Sequence, residues 1–473
     1  MKLMLINPVF SRYGGIRGHG GSVIPLNLCC LAAYVRGLHS DLNIKIFDAE
    51  IQNANHEDVV REAVKFSPDL IGITTNTCVF DSVTQVVLLL KEKLPQVSVI
   101  LGGSHVSALP DRSLVETKAD LIVIGEGELT FGEVIGQIKN NKNNWGAIKG
   151  LAYRDHSGKV KINPPRELII DLDILPFPAR DLVENILYSP PPTKRVGLGL
   201  STLISTSRGC PFNCGFCAAQ TVWTKRIRVR SPESVVAEIE ECIGKYGVRL
   251  FNFTDELFTS NKKRVVDICQ LINRHDLKIK WVCSARAQKL DLETLTIMKQ
   301  AGCREISFGI ESGNRDILRC IDKGIDLDEA LRVINLTKKV GITTHASYIL
   351  GYIGETEETI KDTISFAKKL NTEVAAFFIA SPLPGTRLYD EALKNNYIKQ
   401  DAKWLNYSPL SNMESVLVLP GVSLQTIRKW HRRALKSYYF RLGYIISRIL
   451  SIKHWYEIVN LFEGLKIFFK IKK

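Results

Sequence analysis

Three cysteines near the middle of the chain are the residues best suited to chemistry. Cys210, Cys214 and Cys217 stand in the run Ser-Arg-Gly-Cys-Pro-Phe-Asn-Cys-Gly-Phe-Cys-Ala, residues 207–218. Three thiolates on one tight loop can bind three irons of a [4Fe–4S] cube, whose usual complement is four cysteines. One iron is then left open, and an open metal position is where a substrate can bind.

A structural zinc site is the alternative for these cysteines. It requires four closed ligands, typically arranged as two spaced pairs. No histidine lies between His156 and His275, and the next cysteine, Cys242, falls in a helical pattern. A fourth ligand would therefore have to come from a distance. The glycines, proline and asparagine around the cysteines instead predict an irregular loop whose backbone amides can point at inorganic sulfides.

The spacing C-x3-C-x2-C, with aromatic Phe216 directly before the last cysteine, resembles the signature of the radical S-adenosylmethionine (SAM) enzymes. This resemblance implies a [4Fe–4S] cluster on Cys210, Cys214 and Cys217, whose open iron chelates the amino and carboxylate groups of SAM. One electron through the cluster then cleaves SAM to methionine and a 5′-deoxyadenosyl radical. The resemblance also implies that Phe216 lies near the adenine and that a one-electron donor, such as flavodoxin or ferredoxin, is a partner.

Residues 196–400 must position this loop, and they are predicted to form six strand-then-helix units. The predicted strands lie near 203–207, 249–253, 279–284, 304–309, 345–350 and 374–380. The predicted helices lie near 233–246, 262–275, 291–301, 315–321, 327–340 and 356–370. Six such units form a partial (β/α)6 barrel, with chemistry expected at the carboxyl ends of the strands. The cysteine loop follows the first strand and so lies at that end.

Polar residues follow the second and third strands. Asp255 and Glu256 come after the second strand and are acidic residues suited to the ammonium group of SAM. Helix capping is the alternative role for Asp255. Ser284 and Arg286 end the third strand, where they could meet the carboxylate or ribose of SAM. For Arg286 the alternative is an ordinary surface arginine.

The later strand ends resemble further elements of the same family. Strand four runs into Gly309-Ile-Glu311-Ser312-Gly313, which resembles the element that contacts the ribose and carboxylate of SAM. This implies that Glu311 accepts a hydrogen bond from a ribose hydroxyl and that Ser312 lies beside it. Strands five and six lead into Gly351-Tyr-Ile-Gly354-Glu355 and Ser381-Pro-Leu-Pro384-Gly385-Thr386, which resemble elements near the adenine and the substrate.

Residues 1–145 alternate short apolar strands with helices, which predicts a doubly wound, Rossmann-like α/β domain. The predicted strands are Lys2–Ile6, Ile44–Phe47, Leu70–Thr74, Ser98–Leu101 and Leu121–Ile124. The predicted helices lie near 26–38, 56–66, 80–93 and 128–140. Ligands of such sheets bind at the carboxyl ends of the strands. The candidate binding residues follow those ends: Asn7, Thr75, Asn76, Gly102, Gly103, His105, Gly125, Glu126 and Glu128.

Taken alone, this domain also fits a response regulator or a nucleotide-binding domain. No G-x-G-x-x-G follows the first strand, which argues against a dinucleotide. The order Gly102-Gly-Ser-His105 and then Gly125-Glu-Gly-Glu128, upstream of the cysteines, resembles the cobalamin-binding domain fused to many radical SAM enzymes. His105 is then either a loop histidine that hydrogen-bonds in the crevice or a structural residue.

One departure from other cobalamin domains is informative. The Asp-x-His-x-x-Gly motif that places a histidine on cobalt is absent from this segment. Within the family, that absence implies a corrinoid held without a histidine on its lower face. Such a lower face favours four-coordinate cob(I)alamin, a nucleophile that can accept a methyl group.

The methylthiotransferases are a second alternative, because their N-terminal domain carries three cysteines for another cluster. Here Cys29 and Cys30 are adjacent on a predicted helix, and Cys78 is distant. Neighbouring residues on a helix point about 100° apart and suit one metal poorly. We therefore expect Cys29 and Cys30 to be small buried hydrophobic residues.

Residues 146–195 are expected to connect the two domains. The connector contains Pro164-Pro165, Leu175-Pro-Phe-Pro178 and Ser189-Pro-Pro-Pro192. Proline restricts the chain to extended and turn conformations, so we expect an irregular segment lying across both domains.

Composition agrees with a globular protein of two or three domains. The chain has 473 residues, of which 45% are hydrophobic and 24% charged. The cysteines show no disulfide pattern and the first residues do not resemble a secretory signal, so we expect the reducing cytoplasm. No apolar run reaches the roughly 18 residues of a membrane span.

Residues 401–473 are predicted to form a mainly helical, basic region. They hold 13 Lys and Arg against 4 Asp and Glu, so much of the net charge of +14 lies here. No cysteine follows Cys320, which excludes an auxiliary-cluster domain in this region. One run places apolar and basic residues on different faces: Ile458, Phe462, Leu465 and Phe469, against Lys466, Lys470 and Lys473. Such a region packs against the barrel or lies on an anionic membrane. We do not expect nucleic acid to bind, since no binding module accompanies the charge.

The function predicted by the resemblance is that of a cobalamin-dependent radical SAM enzyme that modifies an unactivated C–H group, most simply by methyl transfer. The whole chain resembles the branch that includes the anaerobic magnesium-protoporphyrin IX monomethyl ester cyclase and hopanoid- and lipid-modifying relatives. Oxidative cyclisation or ring rearrangement of a lipid, isoprenoid or tetrapyrrole is therefore the alternative reaction. A corrinoid sensor or carrier without turnover is the non-enzymatic alternative.

Overall fold

Two sheets, one mostly parallel and one fully parallel, each with its own helices, organise the chain. The structure is a computed structural model and describes residues 1–9, 22–408 and 415–452, together with 455, 458 and 459. The first sheet is built from the N-terminal part of the chain and the second from the central part. The α/β fold class and the partial barrel expected from the sequence are confirmed.

The first sheet has seven strands in the order β2-β1-β3-β4-β5-β6-β7. Its strands are β1 Lys2–Asn7, β2 Asn43–Asp48, β3 Leu70–Thr74, β4 Ser98–Gly102, β5 Leu121–Val123, β6 Leu151–Arg154 and β7 Val160–Ile162. Its helices are α1 Leu26–Leu38, α2 His56–Phe66, α3 Phe80–Lys93, α4 Ser104–Ala108, α5 Pro110–Glu116 and α6 Gly127–Lys139. Strands β1 to β5 are parallel, and the strand order reverses at β1, which makes its carboxyl end a ligand crevice.

Strand β1 shows why this part of the chain folds as a sandwich of helices around a sheet. Leu3 and Leu5 pack into the apolar core on one face, and Met4 and Ile6 pack into the core on the other. All four side chains are fully buried. A strand that alternates between two apolar faces must be covered by helices on both sides.

The segment expected to be a connector from residue 146 begins with two strands. β6 pairs antiparallel with β5, and β7 pairs antiparallel with β6, so the first sheet extends to Ile162. The two strands were not predicted from the sequence, because β7 is short and its side chains are largely exposed. Between Ile162 and β8 Ser201–Ile204, the connector forms short 3₁₀ helices and no strand.

The second sheet is the partial barrel, with six parallel strands in the order β15-β14-β13-β12-β11-β8. Its remaining strands are β11 Leu250–Phe253, β12 Lys280–Ala285, β13 Cys303–Glu311, β14 Thr343–Leu350 and β15 Val374–Ile379. Two short strands, β9 Ser207–Arg208 and β10 Arg228–Val229, pair antiparallel beside the cysteine loop. The helices of this part are α7 Gln220–Trp223, α8 Pro232–Tyr246, α9 Lys262–Arg274, α10 Leu292–Gln300, α11 Arg315–Ile321, α12 Leu327–Lys339, α13 Glu357–Leu370 and α14 Arg387–Lys394.

Local signals explain where the barrel helices begin. Asp291, Asn314, Asp326 and Thr356 each accept a hydrogen bond from a backbone amide in the first turn of the helix that follows. Such caps satisfy backbone donors that have no partner within the helix. The first barrel strand is the least well predicted, since it ends at Ile204 rather than at residue 207.

The C-terminal region is helical, as expected. Helix α15, Leu424–Tyr439, packs on β15 and α13, and helix α16, Leu442–Ser451, follows it directly. The basic run that includes Phe462, Leu465 and Phe469 lies outside the described residues. Within the described part of the chain, none of the helices combines the length and the apolar character needed to cross a membrane.

Candidate functional site

The cysteine loop leaves the carboxyl end of β8, and Asp255 holds its first residues in place. The buried Asp255 carboxylate accepts hydrogen bonds from the backbone amides of Thr206, at 2.6 Å, and Ser207, at 3.2 Å. It also accepts one from the Thr206 hydroxyl. Asp255 was expected at the ammonium group of SAM, but both of its oxygens are engaged in orienting the loop.

The loop itself is clamped on both sides of Cys214. The Gly215 amide donates to the Ile321 carbonyl at 2.7 Å, and the Leu388 amide donates to the Gly215 carbonyl at 2.8 Å. A Cβ atom at Gly215 would lie 2.7 Å from a guanidinium nitrogen of Arg387. Glycine therefore lets the loop pass close to Tyr352 and Arg387, whose side chains would have to shift to admit a larger residue.

The three cysteines fit the donor set that a [4Fe–4S] cluster requires. Cys210, Cys214 and Cys217 are free and half-buried, and they lie on one turn in which the Cys217 amide donates to the Cys214 carbonyl at 3.0 Å. Burial raises the pKa of Cys210 and Cys217, so binding iron must displace their protons.

Arg286 places a positive charge beside this loop. Its Nη1 lies 4.0 Å from the Cys214 Sγ, and its guanidinium carbon lies 3.5 Å from the centre of the Phe212 ring. Its Nη2 donates to the carbonyl of Lys323, and its buried Nε has no hydrogen-bond partner. Burial lowers the pKa of Arg286, and the nearby Cys214 thiol partly offsets this effect. A buried donor without a partner indicates that a further acceptor belongs here.

Glu311 stands at the end of β13 in a conformation that few residues adopt. Its φ is +69°, and its Oε1 lies 2.8 Å from the Nζ of Lys323, with both side chains buried. A Cβ at Gly309 would lie 2.8 Å from the same Nζ, so glycine lets Lys323 reach Glu311 without a shift of either side chain. Backbone strain of this kind is concentrated at functional sites. Ser312 is buried beside it and hydrogen-bonds the hydroxyl of Thr363 at 3.0 Å.

The other barrel residues expected near SAM lie at the same end of the barrel. Glu256 is half-buried, and burial together with the neighbouring Asp255 raises the pKa of Glu256 to about 7. Phe216 packs against the barrel core. Ser284 is half-buried on β12, where it pairs in register with Ser307 of β13.

A polar cluster between the connector and the barrel strands was not anticipated from the sequence. The Nζ of Lys194, in the connector, lies 3.1 Å from the Oε1 of buried Glu305 and donates to the Ser307 hydroxyl. The Nδ1 of His345 lies 3.6 Å from the same Glu305 oxygen. Burial alone would raise the pKa of Glu305, but Lys194 and His345 outweigh burial and lower it. We call Lys194, Glu305, Ser307 and His345 the lumen cluster.

In the first domain, glycines form the turn after β4. Thr75 donates to the carbonyl of Gly102 from its amide, at 2.7 Å, and from its hydroxyl, at 2.8 Å. Gly103 has a φ of +114°, and a Cβ there would overlap the Thr75 carbonyl and lie 2.9 Å from the Thr75 amide. The Gly125 amide donates to the Ser107 hydroxyl at 2.9 Å. Glycine at 103 lets the turn pass close to Thr75, and the open space beside Gly125 leaves room for a flat ligand to approach the main chain.

The remaining polar residues of the crevice make contacts within the protein. The Asn7 amide donates to Asp48 at 2.8 Å, and Asn76 accepts from the amide of Cys78 at 3.0 Å. These bonds order the loops after β1 and β3. The side chains therefore shape the crevice, while their contact with a ligand stays a prediction.

His105 is buried and takes part in an aromatic cluster. Its ring lies 4.0 Å from that of Phe80 and 4.6 Å from that of Trp404, and its Nδ1 lies 3.2 Å from the Thr77 hydroxyl. Burial lowers the pKa of His105 to about 3, so the imidazole is neutral. His105 was expected to be either a structural residue or a loop histidine that hydrogen-bonds in the crevice. Its packing is that of a structural residue, although its buried Nε2 has no hydrogen-bond partner.

Glu126 and Glu128 join the two domains. Arg208 lies 3.2 Å from a Glu126 oxygen and donates to Glu128, and Arg228 donates to Glu126. All four side chains are at most 8% exposed, so these ion pairs are sealed within the interface. Arg208 stands two residues before Cys210. The loop after β5 and the cysteine loop are thus held together directly.

The cysteines of the first domain do not share one tight loop as Cys210, Cys214 and Cys217 do. Cys29 is buried on α1, and burial raises the pKa of Cys30 to about 12 and that of Cys78 to about 11. Such thiols behave as small hydrophobic groups. The methylthiotransferase alternative therefore gains no support from them.

Comparison with protein families and relatives agrees with this geometry. The Radical SAM superfamily profile matches residues 204–367, and the B12 binding domain profile matches residues 17–135. An uncharacterized methyltransferase from Pyrococcus horikoshii is 35% identical over 467 residues, covering 98% of both chains. The anaerobic magnesium-protoporphyrin IX monomethyl ester cyclase of Rubrivivax gelatinosus is 30% identical over 402 residues, covering 83% of this chain and 70% of the cyclase.

The same architecture occurs in a solved structure. TsrM from Kitasatospora setae, a radical S-adenosylmethionine methyltransferase with cobalamin and a [4Fe–4S] cluster bound, superposes with a TM-score of 0.72. The match covers 100% of this chain and 99% of TsrM at 16% sequence identity. The fold of both domains and their order along the chain are therefore shared with that protein.

Proposed function

This chain belongs to the cobalamin-dependent radical SAM enzymes, and we propose on that basis that it transfers a methyl group to an unactivated carbon of a small-molecule substrate. It is an enzyme whose cofactors are a [4Fe–4S] cluster, SAM and cobalamin. The observation that carries the proposed reaction is the direct link between the corrinoid crevice and the cysteine loop, made by Arg208, Arg228, Glu126 and Glu128.

This link explains how two cofactors can act on one substrate. Both loops lie at the carboxyl ends of their parallel sheets, where ligands of such sheets bind. When bound, the cluster and SAM supply hydrogen-atom abstraction, and the corrinoid supplies a methyl group. Groups held at facing ends of two sheets can meet a common carbon without release of the substrate.

The chain's own residues orient SAM in this proposal. The cysteines Cys210, Cys214 and Cys217 hold the cluster. The Nε of Arg286, which lacks a partner within the protein, is available to the SAM carboxylate. Glu256 is expected to face the ammonium group, since its carboxyl stays half-buried at the same strand ends as Arg286.

The lumen cluster supports a substrate that carries a hydrogen-bonding group. Lys194, Glu305 and His345 are fixed by one another in a partly buried setting. A polar head on a lipid or isoprenoid would satisfy this cluster while the apolar part extends towards the connector. The Nδ1 of His345 is buried and has no hydrogen-bond partner within the protein, so a polar group on the substrate would supply one.

The product ratio tests the reaction. After anaerobic reconstitution with iron, sulfide and cobalamin, the enzyme is given dithionite and SAM carrying a deuterated methyl group, with metabolite extract as the substrate source. Methyl transfer yields S-adenosylhomocysteine and 5′-deoxyadenosine in equal amounts, together with a labelled product. Cyclisation yields 5′-deoxyadenosine without S-adenosylhomocysteine. The latter result would overturn the methyl-transfer proposal and leave family membership intact.

Two single cysteine variants check the assignment of the cluster ligands. Cys214→Ala is expected to abolish 5′-deoxyadenosine formation and to lower the bound iron. Cys320→Ala is the matched control, because Cys320 is an exposed free cysteine next to the loop and is not part of the motif. Unchanged 5′-deoxyadenosine in Cys214→Ala would refute the assignment.

Oxidative cyclisation is kept as the second candidate because the cyclase of Rubrivivax gelatinosus is among the relatives. The alternative of a corrinoid sensor or carrier predicts no 5′-deoxyadenosine under any reductant. The product measurement therefore separates all three functions.

We also propose a reducing cytoplasmic location and a one-electron donor of the flavodoxin or ferredoxin class. All eleven cysteines are free thiols, which agrees with a reducing compartment. Replacement of dithionite by reduced flavodoxin should sustain 5′-deoxyadenosine formation. Failure with both flavodoxin and ferredoxin would argue against a donor of this class.

A further inference from the structure

Helix α15 is strongly two-sided. One side packs against the barrel through buried residues: Ile427, Trp430, His431, Ala434 and Tyr438. The opposite side carries five cations that line one open groove together with Phe440: Arg428, Lys429, Arg432, Arg433 and Lys436. Within the described part of this helix there is no acidic residue, so its outer side is a concentrated positive stripe.

Helix α16 presents apolar side chains to solvent. They follow the spacing of one helical face and are all exposed: Leu442, Ile445, Ile446, Ile449 and Leu450, at 74%, 38%, 48%, 59% and 79%. The helix is anchored by its other side, where the Tyr444 hydroxyl donates to the carbonyl of Glu373 at 2.7 Å. An apolar stripe on a helix normally faces a protein core. Here the stripe faces away from the protein, and Trp455 beyond it is 64% exposed.

We propose that the outer sides of α15 and α16 dock on an anionic lipid bilayer. We call the exposed cations of α15, which are Lys429, Arg432, Arg433 and Lys436, and the exposed apolar side chains of α16 the docking surface. A helix with a large apolar stripe next to basic residues binds in the plane of the membrane interface, where apolar groups enter the acyl boundary and cations meet lipid phosphates. This mode requires no membrane-spanning helix, and the described helices include none.

The charge of the docking surface argues against the competing partners. A symmetric dimer joined through the whole surface would bring the positive stripes of the two partners close together. An acidic protein or nucleic acid would use the cations but would leave the exposed stripe of α16 in water. An anionic bilayer offers phosphates to the cations and an acyl boundary to the apolar stripe.

Vesicle binding tests this proposal with the full-length protein. Co-sedimentation is measured with vesicles of phosphatidylcholine alone and of phosphatidylcholine mixed with phosphatidylglycerol. The wild-type protein should bind the anionic vesicles preferentially, and added salt should weaken binding because the cations are screened. Equal binding to both vesicles, or no binding to either, would overturn the proposal.

Two double variants separate the two halves of the surface. Arg432→Gln with Lys436→Gln should lower the affinity by about 25-fold, since each cation near an anionic surface contributes about a fivefold factor. Ile449→Ser with Leu450→Ser should lower it at least about tenfold through lost apolar burial. The substituted side chains are exposed, so the variants are expected to fold, and circular dichroism checks this.

Matched controls stand on other helices. Lys262→Gln with Lys263→Gln removes two exposed cations from α9, and Val115→Ser removes a 75% exposed apolar side chain from α5. Both controls should bind like the wild type. Equal losses in controls and test variants would refute a localised surface. A dimer in solution that the Ile449→Ser, Leu450→Ser variant abolishes would show that the surface joins two copies of the chain instead.

Discussion

Replacing Lys323 with methionine should destabilise the barrel strongly. The Lys323 Nζ lies 2.8 Å from the Glu311 Oε1, and the two side chains are 9% and 7% exposed. At that distance the attraction between unit charges is about 6 kcal/mol for an effective dielectric constant of 20. Desolvation offsets much of this, but removal of one partner leaves the other charge buried and alone. We therefore expect the free energy of unfolding to fall by about 3–5 kcal/mol.

The double variant Lys323→Met, Glu311→Met shows whether the loss comes from the lone charge. It removes both charges and retains unbranched side chains of similar length. We expect it to recover at least half of the stability lost in the single variant, because an apolar pair can replace a buried ion pair at little cost. The same double variant should bind SAM more weakly, since Glu311 is expected to accept a ribose hydroxyl.

Anaerobic differential scanning calorimetry is the assay. For a domain of this size each kcal/mol corresponds to about 2–4 °C in Tm, so the single variant should melt roughly 10 °C lower. Lys262→Met is the control, because its ion pair with Asp291 is exposed and its loss should change Tm little. A double variant that melts no higher than Lys323→Met would refute the reasoning, since the two charges would then not compensate each other.

Three further changes test other parts of the site. Gly103→Ala should reduce the corrinoid absorption band with little effect on bound iron, because φ is +114° there and Thr75 leaves no room for a Cβ. Glu355→Gln should flatten the pH dependence of Tm. Burial raises the pKa of Glu355 to about 8, so the folded wild type holds a proton that the unfolded chain releases, and stability should fall as the pH rises from 5 to 8. A wild-type Tm that does not fall over this range would contradict the expectation. Arg208→Met should increase protease cleavage in the connector, because it leaves Glu128 buried without its partner; cleavage at the wild-type rate would show that this ion pair does not hold the domains.

Most of the fold was predictable because its signals are local. Strand β3, Leu70–Thr74, and helix α11, Arg315–Ile321, have the bounds expected from the sequence. An unbroken apolar run defines the first, and Asn314 caps the second. The strands β6 and β7 were missed because short, partly exposed strands differ little from loops in sequence.

The roles of several acidic residues were harder to predict. Asp255, Glu126 and Glu128 were expected to meet cofactors, and that contact stays a prediction. The structure adds contacts within the protein, through which their carboxylates hold the cysteine loop and the domain interface. Asp255 and Thr206 are 49 residues apart, and Glu128 and Arg208 are 80 apart. No local pattern indicates which distant donor a carboxylate will meet.

The sequence by itself determined the three cysteines, their loop and the order of strands and helices, since these depend on residues that are close along the chain. The tertiary structure alone decided that Lys194 meets Glu305, that Lys323 meets Glu311 and that α16 turns its apolar stripe outwards. These contacts depend on how the sheets and helices pack. A side chain's partner is set by which strand ends and loops that packing brings together, and separation along the chain does not encode it.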